Sequence, residues 1–310
     1  MAALQGTRGV VLLGAGMGLA LLGLEAGEMR FGLGGMTALV SLVPVAVSLV
    51  LGGPLAAAAT AALAVAGVGL AAGGSAAILL ALRHVFPGLA LGIVLDRRLH
   101  LPASLVLVSV ASLLGLLVLL WAYVPAGTAL VDLLGRQLEA HVNDLDRLSG
   151  LFGTARDPAW VAESTRLVAA TIRLAGPAIF AVGLLVVALT NYVGARLCLR
   201  GRGFRAFAEE AVPDHLVWGV IVAGVMLVSQ HEGIQRLGVN LLIVLAVLYA
   251  IQGLAVLRHF FQKARVPRPL QGVSFGLFAV QPLLLIAAAC LGLSDLWVDF
   301  RKIRRAPTPA

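Results

Sequence analysis

The stretch VNLLIVLAVLYAIQGLAVLRHFF, residues 239–261, decides the fold class. About 20 apolar residues suffice to cross a bilayer as a helix. This run reaches that length while carrying Asn240, Tyr249, Gln252 and His259, and it leads into a basic exit from Arg258 to Arg268. At about 100° per residue, Tyr249, Gln252, Val256 and His259 fall along one stripe, whereas Asn240 projects from another face near the opposite end. A helix with two polar faces needs two neighbours, or a neighbour and a ligand. An amide is costly in hydrocarbon, so the Tyr249/Gln252 stripe is expected to face a bundle and not lipid.

The rest of the composition agrees. Of 310 residues, 60% are hydrophobic and only 12% charged, with a mean hydropathy of +0.99, which excludes an ordinary soluble domain. The formal net charge of +8 does not point to nucleic acid. The arginines sit in short runs at the ends of apolar segments, where cytoplasmic loops concentrate positive charge. The two cysteines, Cys198 and Cys290, form neither a disulfide framework nor a metal-ligand spacing, and no cofactor is expected.

The expected fold is an all-α, polytopic transmembrane bundle of about eight to nine spans with an amphipathic interfacial insert. Residues 9–24 form a retained first span, since no A-x-A cleavage site follows Leu24-Glu25-Ala26-Gly27. Gly14 and Gly18 give it a small-residue face suited either to packing within the chain or to docking a separate subunit. Spans over 31–51, 54–72 and 75–95 follow, separated by tight turns at Gly52-Gly53-Pro54 and Gly73-Gly74. The third of these carries Arg83 and His84 ahead of Phe86-Pro87-Gly88. A mid-membrane arginine usually faces a cavity or partner. Arg83 therefore reads either as part of an anion-attracting pocket or as a snorkelling side chain beside a helix broken at Pro87.

A fifth span covers 102–123. From Leu130 to Phe152 apolar and charged residues then take opposite arcs of a helical wheel, which implies an interfacial amphipathic helix. A second helix is expected from Pro158 through Ile172. Further spans cover 174–195, 214–230, 239–261 and 271–293. The organisation is thus a membrane bundle over 1–123, an insert over 124–173, a second bundle over 174–293, and a basic tail over 294–310. Nine spans with a cytoplasmic N-terminus leave Lys and Arg evenly divided between the two sides. A re-entrant final segment would move the tail to the side of the other basic loops.

No P-loop, dinucleotide turn, nucleophile elbow or second zinc-protease histidine occurs; Gln235 follows His231-Glu232 where that histidine would stand. The chain is therefore not expected to be an enzyme. The one constellation for a membrane enzyme on a lipid-linked substrate is Asp295, Asp299 and His259, which a full-length last span would place on opposite sides.

The second half carries a resemblance. Asn240-Leu241, Leu248-Tyr249-Ala250-Ile251-Gln252-Gly253-Leu254-Ala255-Val256 and Gly292-Leu293-Ser294-Asp295-Leu296-Trp297-Val298-Asp299-Phe300-Arg301-Lys302 resemble the YybS-like family of bacterial predicted membrane proteins, a family without a settled activity. The first half agrees in Phe86-Pro87-Gly88-Leu89-Ala90-Leu91-Gly92 running into Arg97-Arg98, and it is distantly similar to the substrate-binding S components of energy-coupling-factor transporters. That similarity implies a solute site, for which Arg83, His84, Tyr249 and Gln252 are the candidates, and a docked coupling subunit with ATPases. Docking would use Gly14 and Gly18, with Asp295, Trp297, Asp299 and Arg301 as a second partner surface. The alternative is a non-transporting scaffold that binds another protein through its insert or C-terminal motif. Either way the chain is expected in the bacterial cytoplasmic membrane.

Overall fold

The computed structural model describes residues 7–31, 36–124 and 158–303, and every regular element among them is helical. In chain order these are α1 (Thr7–Phe31), α2 (Val43–Ala72), α3 (Gly74–Leu80), α4 (Phe86–Asp96), α5 (Leu101–Tyr123), α6 (Pro158–Cys198), α7 (Leu216–Leu227), α8 (Glu232–Lys263), α9 (Arg268–Val280) and α10 (Pro282–Val298). A π-helical turn, Ala81–Val85, joins α3 to α4 without a break, and single 3-10 turns lie at Met36–Leu39 and Phe207–Glu209.

Six helical stretches among the described residues are long and apolar enough to cross a membrane: Thr7–Glu28, Met36–Ala72, Gly74–Asp96, Leu101–Tyr123, Arg166–Cys198 and Glu232–Lys263. The spans expected over 31–51 and 54–72 fall in the single stretch Met36–Ala72, and two further expected spans are not straight crossings. The segment expected over 214–230 is a helix of only 12 residues, about 18 Å at 1.5 Å per residue, against a hydrocarbon core of about 30 Å. The one expected over 271–293 is broken at Gln281, where α9 and α10 meet at 104°. The residue before a proline is pushed out of the helical region, and here Gln281 precedes Pro282 with φ −96° and ψ 110°.

Helix α2 is interrupted at Gly53, whose φ of 73° and ψ of −167° are accessible in practice only to glycine. Were α2 straight, Ser41 and Gly67 would lie about 39 Å apart. Instead Ser41 touches His84, His84 touches Glu25 of α1, and Leu22, one turn earlier, packs on Gly67. The chain therefore folds back at Gly53. Its first arm runs alongside α4 (Val45 on Gly88, Leu49 on Gly92) and its second alongside α1 (Ala56 on Gly14, Leu63 on Gly18). Gly73, at φ 91°, makes the next reversal. The principal core lies where the first arm of α2, α4, α5, α6 and α8 meet, around Leu42, Val47, Leu91, Leu105, Leu185 and Leu248.

Helix α6 runs unbroken for 41 residues through Pro177, so the expected separation of a helix ending at Ile172 from a span starting at 174 is not present. Proline lacks an N–H and normally opens the ladder. Here the side-chain amide of Asn240 on α8 braces the rung beside the proline: its Oδ1 accepts from the Ala178 N–H at 2.7 Å and its Nδ2 donates to the Leu174 carbonyl at 2.8 Å.

The α9–α10 pair leaves and returns at one end of the bundle. Phe275 of α9 packs edge-on against Phe207 and Phe261, 6.4 and 6.0 Å between ring centroids, and Phe300 after α10 sits 6.0 Å from Phe260. Arg301 donates to the carbonyls of Ala208 and Glu210 at 2.9 and 2.7 Å. Both ends of the pair thus rest on the same 207–210 turn and the same last turns of α8. The amphipathic helix expected over 130–152 lies outside the described residues.

Candidate functional site

Among the described residues, two buried polar constellations lie at opposite ends of the bundle. The first is built on the π turn. A proline clashes with the carbonyl four residues earlier, and the widened turn Ala81–Val85, closed by a bond from Phe86 N–H to Ala81 O, stands immediately ahead of Pro87. Such turns recur at functional positions because they re-aim side chains. This one carries Arg83 and His84, and its Leu82 carbonyl is free to be packed by Gly115 of α5, where a Cβ would sit only 2.3 Å from the oxygen.

His84 is fully buried and held from two sides. Its Nδ1 lies 2.6 Å from the Ser41 hydroxyl and its Nε2 lies 3.0 Å from Glu25 Oε1. The ring and the carboxylate thus form a close polar contact inside the bundle. Beside them Arg83, 47% exposed, pairs with Glu28 at 3.4 Å, and Glu28 also accepts from the Thr37 hydroxyl. Arg83 and His84 line a cavity of about 210 Å³ between the segment leading into α2, the π turn, α5 and α6. Ser41 and Ser112 add hydroxyls to its wall, and Leu116, Leu119, Phe180, Leu184 and Val187 make the remainder apolar.

The second constellation joins the two halves of the chain at the basic end. Gln252, 1% exposed, accepts from the Val212 N–H at 2.8 Å and donates to the Gly292 carbonyl at 3.0 Å and to Asp295 at 3.3 Å. Asp295 pairs with Arg301 at 2.7 Å and accepts from the Phe300 N–H. Glu210, whose carbonyl Arg301 holds, turns its own carboxylate to the first N–H of α5, at Leu101, 2.8 Å away. Burial raises the Glu210 pKa above the usual carboxylate value. The Leu101 N–H and the nearby His100, Arg196 and Arg205 oppose the rise without cancelling it. Every arm of this network ends on the chain itself.

Of the sequence candidates, Arg83 and His84 line the cavity, whereas Tyr249 and Gln252 lie buried at the α8–α10 crossing and are not among its lining residues. Asp295, Asp299 and Arg301 are buried and bonded within the chain: Asp299 accepts from the Ile303 N–H at 3.0 Å, and Trp297 alone of that group is largely exposed. The Gly14 and Gly18 face is occupied by Ala56, Ala59, Thr60 and Leu63 of α2, so among the described residues the small-residue surface serves packing within the chain. His259 lies at the same end as Asp295 and Asp299, not across the membrane from them, because α9–α10 returns to that end. Glu25, Glu28, Thr37 and Ser41 are the site residues the sequence reading passed over. The available signal was the pair of acids three residues apart in an otherwise apolar span, a rare and usually functional pattern.

A family model described as predicted membrane protein (DUF2232) matches residues 32–296. No curated protein and no solved structure matches the chain.

Proposed function

The chain belongs to the DUF2232 family of predicted membrane proteins, and from that premise we propose that it is a solute-binding membrane subunit whose site is the cavity beside His84. One observation carries this reading. In a bundle that is apolar almost throughout, His84, a buried histidine held between the Ser41 hydroxyl and the Glu25 carboxylate, forms part of the wall of a cavity. At about 210 Å³ the space is smaller than the ~300–1,000 Å³ of drug-sized sites. The fitting ligand is a compact solute with an apolar body and one polar head.

The basic end of the bundle is the cytoplasmic one in this proposal. Arg97, Arg98, Arg200, Arg202, Arg205, Lys263 and Arg265 gather there, and the return of α9–α10 adds Arg301 and Lys302, which removes the even division that a ninth span imposed. The N-terminus lies on that side, in a bacterial cytoplasmic membrane, and energy for uptake comes from partner ATPases. A scaffold role through the C-terminal motif is the weaker reading, because Asp295 and Arg301 are already spent on each other. Melting curves of the detergent-purified protein against a panel of small acids, amines, alcohols and vitamins test the proposal. We expect a stabilising solute whose effect is lost when Leu116→Trp fills the cavity. A panel without effect on wild type, or an effect untouched by Leu116→Trp, overturns it.

A further inference from the structure

We infer that the Glu25–His84 pair is a proton site linked to the cavity, and that the cavity takes a small organic monocarboxylate together with a proton. This rests on the cavity being a solute site, as proposed above. The argument begins with the hydroxyl of Ser41. When His84 is neutral with its proton on Nε2, Nδ1 accepts the Ser41 proton, and that hydroxyl is not available as a donor to the cavity it lines. When His84 is protonated, both ring nitrogens donate: Nε2–H faces Glu25, Nδ1–H is given to Ser41 Oγ, and the Ser41 hydroxyl proton is released toward another acceptor. One proton on the imidazole thus converts Ser41 from a donor to the histidine into a donor for a ligand.

Charge selects the same ligand. Among the described residues the titratable groups around the site are Glu25 and Glu28 from α1 and Arg83 and His84 from the π turn; the segment leading into α2 presents Thr37 and Ser41, α5 presents Ser112, and α6 presents apolar side chains. With His84 neutral this set sums to one negative charge, which repels an anion in a low-dielectric wall. With His84 protonated it is balanced, and a monoanion adds only one charge. A carboxylate is therefore admitted by protonation, while a cation gains nothing from it. A histidine and a carboxylate held 3.0 Å apart inside an apolar bundle are the kind of ionisable pair that marks a proton site.

The test is titration calorimetry on the purified full chain near neutral pH, with straight-chain carboxylates from acetate to octanoate and the matched primary amines. Each titration is run in buffers of different ionisation enthalpy. Carboxylic acids are ionised at that pH, their pKa values lying near ~4, so any proton taken up goes to the protein. We expect a carboxylate to bind with uptake of about one proton, and to bind about tenfold more weakly for each pH unit above the pair's apparent pKa. Glu25→Gln and His84→Gln should remove the buffer dependence, and Ser41→Ala should weaken binding while leaving proton uptake in place. Should both charge variants fail to elute as folded protein, the wild-type buffer series and Ser41→Ala still decide. Binding of carboxylates with no buffer dependence overturns the proton link and leaves the solute site standing. Binding of amines in preference to carboxylates overturns the ligand class. Binding of neither, with another solute stabilising the protein through the cavity, overturns this inference alone.

Discussion

Replacing Gly253 or Gly292 with alanine tests the packing of the α8–α10 crossing, because two opposing effects predict opposite signs. Helix propensity alone makes Gly→Ala favourable by about 1 kcal/mol. At this crossing, however, a Cβ on Gly253 would lie 1.8 Å from the Ala288 carbonyl oxygen, and one on Gly292 would lie 2.0 Å from that of Tyr249. Ordinary contact begins at 3.4 Å, so α10 must withdraw by about 1.4–1.6 Å. A shift of that size breaks the 3.0 Å bond from Gln252 to the Gly292 carbonyl and leaves a buried amide short of a partner. Overpacking costs about 1–3 kcal/mol and the unsatisfied amide about 1–3 kcal/mol more. After the propensity gain, the net loss is roughly 1–5 kcal/mol. The assay is the fraction of protein that still elutes as a single species after heating in mild detergent. Gly16→Ala on α1, where an added Cβ meets nothing within 4 Å, serves as the internal reference and should hold or raise the midpoint. If Gly253→Ala and Gly292→Ala melt with Gly16→Ala, the close crossing is wrong.

Three further outcomes follow from the same geometry. Asn240→Leu should destabilise by about 1–3 kcal/mol by removing the two hydrogen bonds that brace α6 at Leu174 and Ala178; Pro177→Ala should restore most of it, and a double-mutant cycle without that coupling refutes the clasp. Arg301→Met should cost about 3–5 kcal/mol by stranding Asp295, whereas adding Asp295→Leu should recover part of the loss; equal melting of single and double variants counts against a buried pair. Because burial raises the Glu210 pKa, its native-state contribution is present at acid pH and is lost as pH rises through the raised value. Glu210→Gln, which can still accept from Leu101, should flatten that part of the melting-versus-pH profile, and an unchanged profile refutes the assignment.

The sequence made some of this legible and hid the rest for definable reasons. The Tyr249/Gln252 stripe could be placed inward because an amide has no partner in lipid, and Gln252 indeed bonds to α10 and to the Val212 N–H. The reversals at Gly53 and Gly73 were legible as glycine turns. The break between α9 and α10 was not, since a hydropathy average over 271–293 is blind to direction; only the Gln281-Pro282 step marked it. The site at His84 was half visible. Arg83 and His84 stand out in an apolar run, but Ser41 lies 43 residues away along the chain and Glu25 further still, and only the fold brings them together. The unbroken α6 was hidden for a similar reason, as its repair comes from a different helix.

That repair has a consequence for how the protein is made. The amide that completes α6 at Pro177 lies 62 residues further along the chain than Ala178, which it binds. At ~5–20 residues per second, a ribosome needs ~3–12 s to synthesise that interval. During those seconds the proline-bearing stretch of α6 lacks the amide that braces it in the folded chain. The nascent helix must wait beside the insertion machinery, bend at the proline, or borrow a temporary donor until α8 emerges. The bracing of α6 beside Pro177 is therefore completed only once α8 has been made, at a point located by one asparagine.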